Sequence, residues 1–352
     1  MRNRLAPALL AAMIAGNATA ALAQGIAPEV PKDPTEKREL EVGKWYNTLE
    51  GGLNLTQAAY SENWKGGETG SISWSAFLNG GAENQLTPGL NWLNTMKLLY
   101  GQTRQQEVGA DGNRSWGDAE KSSDLIQIES LLRITRNWPV DPYVSVFYES
   151  FFQDITDPYG RTLWLNPMTF RESAGVAHKF IDEDEHQLLV RGGFGARESY
   201  RRFYVNPTGD ETTGESSWDV GAELIVDYKK VFDERVTYDS RLSVYQPFTW
   251  SKNDIFDQLG ADSLMAAGIS PDVTDYATTV DVDWQNTLTT KVTKFISFNL
   301  YVELLYDKYD NTVAPVLDDA GSLANPDAVS ASVRKKGQFK QTLGVGLTFK
   351  FM

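Results

Sequence analysis

The chain of 352 residues has no cysteine and only two histidines. Disulfides, thiolate nucleophiles and cysteine metal sites are thereby excluded, and general bases of the imidazole type are scarce. Positive charge is also short, with 33 Lys and Arg against 47 Asp and Glu and a formal net charge of −14. So acidic a chain does not hold nucleic acid through its phosphates. Beyond the first two dozen residues no apolar run approaches the roughly 18 residues of a spanning helix. What the chain does have is aromatic residues, 12% of the total, with 10 Trp and 15 Tyr. An exported protein of this composition is either a periplasmic globule or an outer-membrane barrel.

Export is read from the N-terminus, MRNRLAPALLAAMIAGNATAALAQ. Arg2 and Arg4 form a positive region, Leu5 to Ile14 an apolar one, and Ala21-Leu22-Ala23 a small-residue cleavage site. This pattern predicts a signal peptide over 1–23, cleaved before Gln24. Residues 24–44, rich in Pro and charge and without aromatics, read as a periplasmic linker.

From Trp45 the chain becomes a string of segments with period-two alternation. We read strands near 45–60, 69–80, 89–102, 122–135, 142–154, 170–181, 186–203, 218–229, 236–250, 277–290, 295–309 and 336–352. Val220, Ala222, Leu224 and Val226 share one face, against Asp219, Glu223 and Asp227 on the other. Helical periodicity is not sustained, although 255–268 has the composition for a short helix. The connections alternate in length. Short ones fall at 136–141, 182–185, 229–235 and 291–294, and long ones near 103–121, 155–169, 204–217, 251–276 and 310–335. In the first hairpin, loop 61–68 and turn 81–88 are of similar length. The pattern predicts an all-β fold: a closed, antiparallel, up-and-down transmembrane β-barrel over 45–352, with about twelve strands, short periplasmic turns and long extracellular loops. Lipid cannot satisfy a free strand edge, so the last strand is expected to pair with the first.

The last segment, GQFKQTLGVGLTFKFM, places Phe339, Leu343, Val345, Leu347, Phe349 and Phe351 on one face. That face is expected to meet lipid, with Phe349 and Phe351 in the periplasmic aromatic girdle. A terminal aromatic strand of this kind resembles the assembly signal of outer-membrane barrels, although Met352 displaces the usual final aromatic by one residue.

The opposite parity carries the candidate lumen residues. These are Lys97, Glu129, Arg133, Glu149, Arg191, Arg197, Glu223, Asp227, Arg241, Asp281, Asp283, Glu303, Lys340 and Lys350. Two arrangements fit them: a water-filled lumen that selects solutes by charge, or salt-bridged pairs that fill and stiffen the barrel. Twelve strands lie between the filled and the open cases. Loops 251–276 and 310–335 are the plug candidates by length. Trp64, Gly66 and Gly67 form a distinctive loop motif, readable as a recognition site or as a tight turn with an interfacial anchor. The turn reading needs less, because paired Gly is the ordinary turn signal. His178 and His186 flank the acidic turn 182–185, but their spacing matches no metal-ligand pattern. A lipase would need a Ser, a His and an orienting polar group at the outer face. These His fall at the periplasmic end, and no G-x-S-x-G occurs. No cofactor or metal is expected.

The segment LNLTQAAYSENWKGGETGSISW at 53–74 resembles the opening hairpin of an outer-membrane barrel family of unknown function, the DUF3078 type. NWKGGE at 63–68 is similar to its Trp–x–Gly–Gly turn, and KSSD at 121–124 and DWQNTLTTKVTKFISFNLYVELLYD at 283–307 resemble later segments. The resemblance implies the fold and the outer-membrane location, and no activity. The function expected is a passive channel or uptake barrel for small solutes. The alternatives are a non-conducting barrel that displays its loops to a ligand or partner, and, less favoured, a lipase. Expected partners are outer-membrane lipid, the barrel-assembly machinery and a small solute, with a monomer or a trimer equally compatible.

Overall fold

The computed structural model describes residues 40–350 apart from 61–68, 110–112, 137, 158, 184, 206–207, 294–295, 319 and 335. The signal-peptide segment, most of the linker, Trp64, Gly66, Gly67 and Phe351 lie outside the described residues. Twelve long strands follow one another: β1 Trp45–Ala58, β2 Ser71–Thr87, β3 Leu90–Val108, β4 Glu120–Ile134, β5 Asp141–Ser150 and β6 Met168–Glu183, then β7 His186–Tyr204, β8 Thr212–Val231, β9 Val236–Trp250, β10 Asp281–Lys291, β11 Ile296–Tyr306 and β12 Gln338–Lys350. Each pairs antiparallel with its neighbours in sequence, and β12 returns to β1 through Glu50↔Lys350, Gly51↔Phe349, Gly52↔Thr348 and Leu53↔Leu347. The sheet is thus a closed up-and-down transmembrane barrel with no free edge.

Burial is inverted relative to a water-soluble protein. Ser75 and Thr287 are 0% exposed, while Phe194 is 66% and Phe339 64% exposed. Period-two alternation explains this: one parity of each strand points into the lumen and the other outward. Leu53, Leu55, Val144, Leu224, Val345 and Leu347 form part of the outer apolar jacket. Tryptophans mark its rims. At the turn end Trp45 meets Trp92 edge-on, with ring centroids 5.4 Å apart. Such a jacket is the surface that hydrocarbon requires.

All tight connections lie at one end, at 88–89, 135–140, 184–185, 232–235 and 292–295. The long ones, 59–70, 109–119, 151–167, 205–211, 251–280 and 307–337, lie at the other. The first hairpin corrects the sequence reading. The expected turn 81–88 is strand, and the chain reverses at Pro88-Gly89. Gly81, the first residue of the expected turn, sits inside the strand, where a Cβ would come within 2.6 Å of Thr48 Oγ1. Strand β8 also starts six residues earlier than the apolar pattern suggested. Its first turn-free stretch, TTGESS, pairs with β7 above the jacket, where no outward apolar residue is required.

The two longest loops fold on each other. Loop 251–280 carries helix α1, Asn253–Ala266, and the single turn α2, Val273–Tyr276. Loop 307–337 carries α3, Pro326–Ser332. Helix α1 kinks at Gly260, whose φ of 69° suits glycine. Trp250, Phe256, Leu264, Val273, Tyr309 and Val329 form a core of their own between these loops. The rings of Trp250, Phe256 and Tyr309 lie 5.3–5.9 Å apart. The plug candidates are therefore a roof over the mouth.

Leu224→Arg, on the outer face in the middle of β8, is expected to lower unfolding stability in vesicles by about 2–4 kcal/mol, the cost of a lipid-facing arginine near mid-bilayer. Denaturant titration of the folded barrel checks this, and an unchanged midpoint would place Leu224 out of the hydrocarbon.

Candidate functional site

The lumen is built by pairing inward positions of neighbouring strands. One row runs Tyr143–Gly175–Gly193–Glu223 across β5 to β8. Both glycines are needed at this row. A Cβ on Gly175 would lie 2.2 Å from the Gly192 carbonyl oxygen, and one on Gly193 2.3 Å from that of Ala174. With no side chains between them, the Tyr143 ring lies along the wall and its hydroxyl donates to Glu223 Oε1 at 3.0 Å. A second bare stretch at Gly195 and Gly221 lets Tyr245 do the same, donating to Asp219 Oδ1 at 2.7 Å.

Ions cross the lumen at mid-height. Arg191 Nη1 reaches Glu129 Oε1 at 2.7 Å and its Nη2 reaches Asp227 Oδ2 at 3.4 Å. Arg241 closes the square, with Nη2 3.5 Å from Glu129 Oε2 and Nε 3.7 Å from Asp227 Oδ1. These four side chains come from β4, β7, β8 and β9, so the lattice spans the bore rather than one wall. Arg197 binds Asp219 and Asp281, each at 2.9 Å, and its guanidinium stacks 4.2 Å from the Tyr245 ring centre. Arg171 lies 3.7 Å from Glu223, and Lys340 3.8 Å from Glu303. Glu149 and Asp283 accept from the amides of Gln127 and Gln285, both at 2.7 Å. Arg133 is buried at the turn end beside Asn91 and Tyr143 in register. Lys97 is 5% exposed and lines the cavity described next. Lys350 pairs in register with Glu50.

Below the lattice, toward the turns, Leu93, Leu131, Tyr143, Ala177 and Leu189 pack into an apolar cluster inside the bore. Above it lies a chamber of about 380 Å³. Its walls include Lys97, Glu149, Arg171, Arg241 and Asp283, and its roof Asp307, Asp310 and Arg334. Segment 307–313 crosses the mouth from β11 to the opposite wall. Asn311 donates to Asp219 Oδ2 at 3.2 Å, and Arg201 donates to Thr312 Oγ1 at 3.2 Å. Arg334 Nη1 clamps Asp307 at 2.6 Å. Burial, with the Asp281 and Asp310 carboxylates, outweighs that guanidinium and pushes Asp307, just beyond β11, up to about 7.

Several of these residues escaped the sequence reading. Asp219 lies on the polar face read for 218–229 without standing among the lumen candidates, and Arg171 occupies inward parity within an expected strand and was open to the same argument. The dry section of the bore has its own signal, since the doublets Trp92-Leu93, Leu131-Leu132 and Leu188-Leu189 break the alternation. Asp307 falls on the polar face of the expected strand 295–309, opposite Leu304 and Tyr306, and lies just beyond the end of β11. Nothing in the sequence points to Asp310 or Arg334, which reach the chamber through loop folding. The two histidines lie at the turn end, where His178 meets the Phe180 ring at 4.6 Å and His186 the Tyr228 ring at 5.5 Å. Among the described residues no group of His, Asp and Glu is disposed to hold a metal ion.

Tyr143→Phe leaves Glu223 without its hydroxyl donor and is expected to cost about 1–3 kcal/mol in denaturant unfolding, as for a buried acceptor stripped of its partner. A loss below that range would mean that water reaches Glu223. Asp307 titrates higher in the fold than in the unfolded chain, so its contribution to stability is present below about pH 4 and is lost as pH rises through about 7. The thermal midpoint of Asp307→Asn should therefore depend less on pH between 4 and 7 than that of the parent. Parallel curves for the two proteins would contradict the shift.

The family described as "Protein of unknown function (DUF3078)" matches residues 55–154, from the end of β1 through Asp154. That range contains most of the opening hairpin and the 121–124 segment on which the resemblance was drawn, while 283–307 lies outside it. No curated protein matches the chain. Among solved structures, an outer membrane channel from Pseudomonas putida F1 is similar at 12% identity, with 92% of this chain and all of that one covered and a TM-score of 0.39. The translocator domain of the autotransporter NalP from Neisseria meningitidis is similar at 10% identity, covering 97% of each chain, with a TM-score of 0.35. The beta domain of the Bordetella autotransporter BrkA is similar at 9% identity, covering 87% of this chain and 97% of that one, with a TM-score of 0.30. The barrel assignment itself rests on this chain's own closed register.

Proposed function

We propose that this protein is exported by a cleaved signal peptide over 1–23, inserted into the outer membrane by the barrel-assembly machinery, and there passes small polar solutes through a narrow, charge-lined lumen. The observation that carries this reading is the chamber of about 380 Å³ enclosed by ionised side chains inside an apolar jacket. A barrel built only to anchor loops has no need of such a space, whereas a solute pathway needs polar walls and a constriction. The lattice of Arg191, Arg241, Glu129 and Asp227 supplies the constriction. Passage is then slow and selective, because ions and solutes must exchange with paired charges.

A second reading, display of the outer loops to a partner, draws support from the roof, whose separate core holds α1 and α3 in fixed positions. A non-enzymatic role is supported by the surroundings of the histidines. Each packs against an aromatic ring at the turn end, and among the described residues neither shares a hydrogen bond with a serine hydroxyl.

Planar-bilayer recording separates these readings. Steady ohmic steps of low conductance are expected from the folded protein, and Arg241→Glu should shift the reversal potential in a salt gradient toward cation selectivity. Silence from protein that migrates as a folded barrel would overturn the passage reading and favour display. Unaltered selectivity would remove Arg241 from the conduction path.

A further inference from the structure

The chamber above the lattice has a charge inventory that does not close on itself. Arg171 is matched by Glu223, Arg197 by Asp219 and Asp281, Arg241 by Glu129 and Asp227, and Arg334 by Asp307 and Asp310. Lys97 differs. Its side chain is 5% exposed and opens on the cavity, yet among the described residues no carboxylate comes within ion-pairing distance of it. Two carboxylates are left over in the same way. Glu149 and Asp283 also line the cavity, and each is held only by a neutral amide. Asp283 Oδ1 is buried and accepts no hydrogen bond at all. These leftover groups are electrostatic neighbours, since the Lys97 ammonium feels the repulsion of Arg241 and the attraction of Asp283, Glu303 and Glu149. Buried ions without partners are among the costliest features of a fold, so a cavity that gathers one ammonium and two carboxylates is poised for a complementary solute.

We propose that the chamber is a binding site for small amino-acid-type zwitterions, with the solute carboxylate on Lys97 and its ammonium between Asp283 and Glu149. The leftover set carries one positive and two negative charges. A solute with one carboxylate and two ammonium groups neutralises it fully, so a dibasic amino acid binds tighter than a neutral one, and an acidic one binds weakest. A simple anion meets two carboxylates, a simple cation leaves Lys97 unmatched, and a sugar leaves all three ions unpaired. The volume, about 380 Å³, lies within the range of small-molecule sites. This inference deepens the passage reading by naming the solute class, and it rests on that reading only for the route by which the solute arrives.

Titration calorimetry of the purified protein folded in detergent at pH 7.5 tests the site without requiring conduction. L-lysine should bind one per barrel, at least tenfold tighter than cadaverine, which lacks the carboxylate, and tighter than L-alanine, with L-glutamate weakest and glucose silent. Lys97→Met and Asp283→Asn should each weaken L-lysine at least tenfold, and Lys97→Met should bring it close to cadaverine. Equal affinity for cadaverine and L-lysine, binding of glucose at the same strength, or no heat from L-lysine would each overturn the proposal. Heat-dependent gel mobility establishes that each variant is folded, and Lys97→Gln replaces Lys97→Met if the latter is not. A barrel that conducts yet binds no zwitterion sinks this inference and leaves the passage reading standing. A barrel that binds L-lysine but never conducts does the reverse.

Discussion

The interaction on which everything else depends is the hydrogen-bonded seam between β1 and β12. It joins Glu50–Leu53 to Leu347–Lys350, and it is short compared with the β1–β2 ladder beside it. In hydrocarbon an unpaired strand edge has no solvent to turn to, so the sheet is stable only when this seam is shut. Gly52 sits within it. A Cβ there would strike the Phe77 ring at 2.3 Å and the Leu347 carbonyl at 2.7 Å. The seam thus requires a residue with no side chain, and the inward Phe77 covers the backbone that this leaves bare. Closure also fixes the bore, because strand number and stagger together set the diameter.

A bore of this width is too broad for direct wall-to-wall packing of small polar residues and too narrow for a wide aqueous channel. The interior resolves this in three sections. Near the turns, leucines and Tyr143 meet in an apolar cluster. At mid-height, two arginines and two carboxylates from four strands form the lattice. Toward the mouth the walls separate into the chamber. The glycine rows make the middle section possible, since only a bare wall lets Tyr143 lie flat across β6 and β7 and reach the carboxylate of Glu223 on β8. Charges taken from water into such a bore repay their desolvation only with good geometry, which the square of Arg191, Arg241, Glu129 and Asp227 supplies.

The roof changes what the chamber can be. An open barrel mouth exposes its charges to bulk water and salt. Here two long loops share a core around Trp250, Phe256 and Tyr309, and residues 310–312 tie that unit to β7 and β8. The chamber is screened on its outer side, so its charges act on a solute at lower effective dielectric than they would at an open mouth.

The sequence alone determined the class of fold, because period-two alternation, apolar outward parity and a terminal aromatic strand are local properties that survive any choice of neighbour. It determined the inward parity of Arg191, Arg241, Glu129 and Asp227 for the same reason. It failed locally at 81–88, where the segment GAENQLT, with little apolar alternation, continues β2 up to the reversal at Pro88-Gly89. Which inward ions meet was decided only by the closed tertiary structure. Glu129 finds Arg191 and Arg241 because stagger and diameter bring β4 opposite β7 and β9, and neither quantity is written in any one strand. The same holds for Asp310 and Arg334, which belong to a loop until the shared core of the roof presses them down onto the lumen.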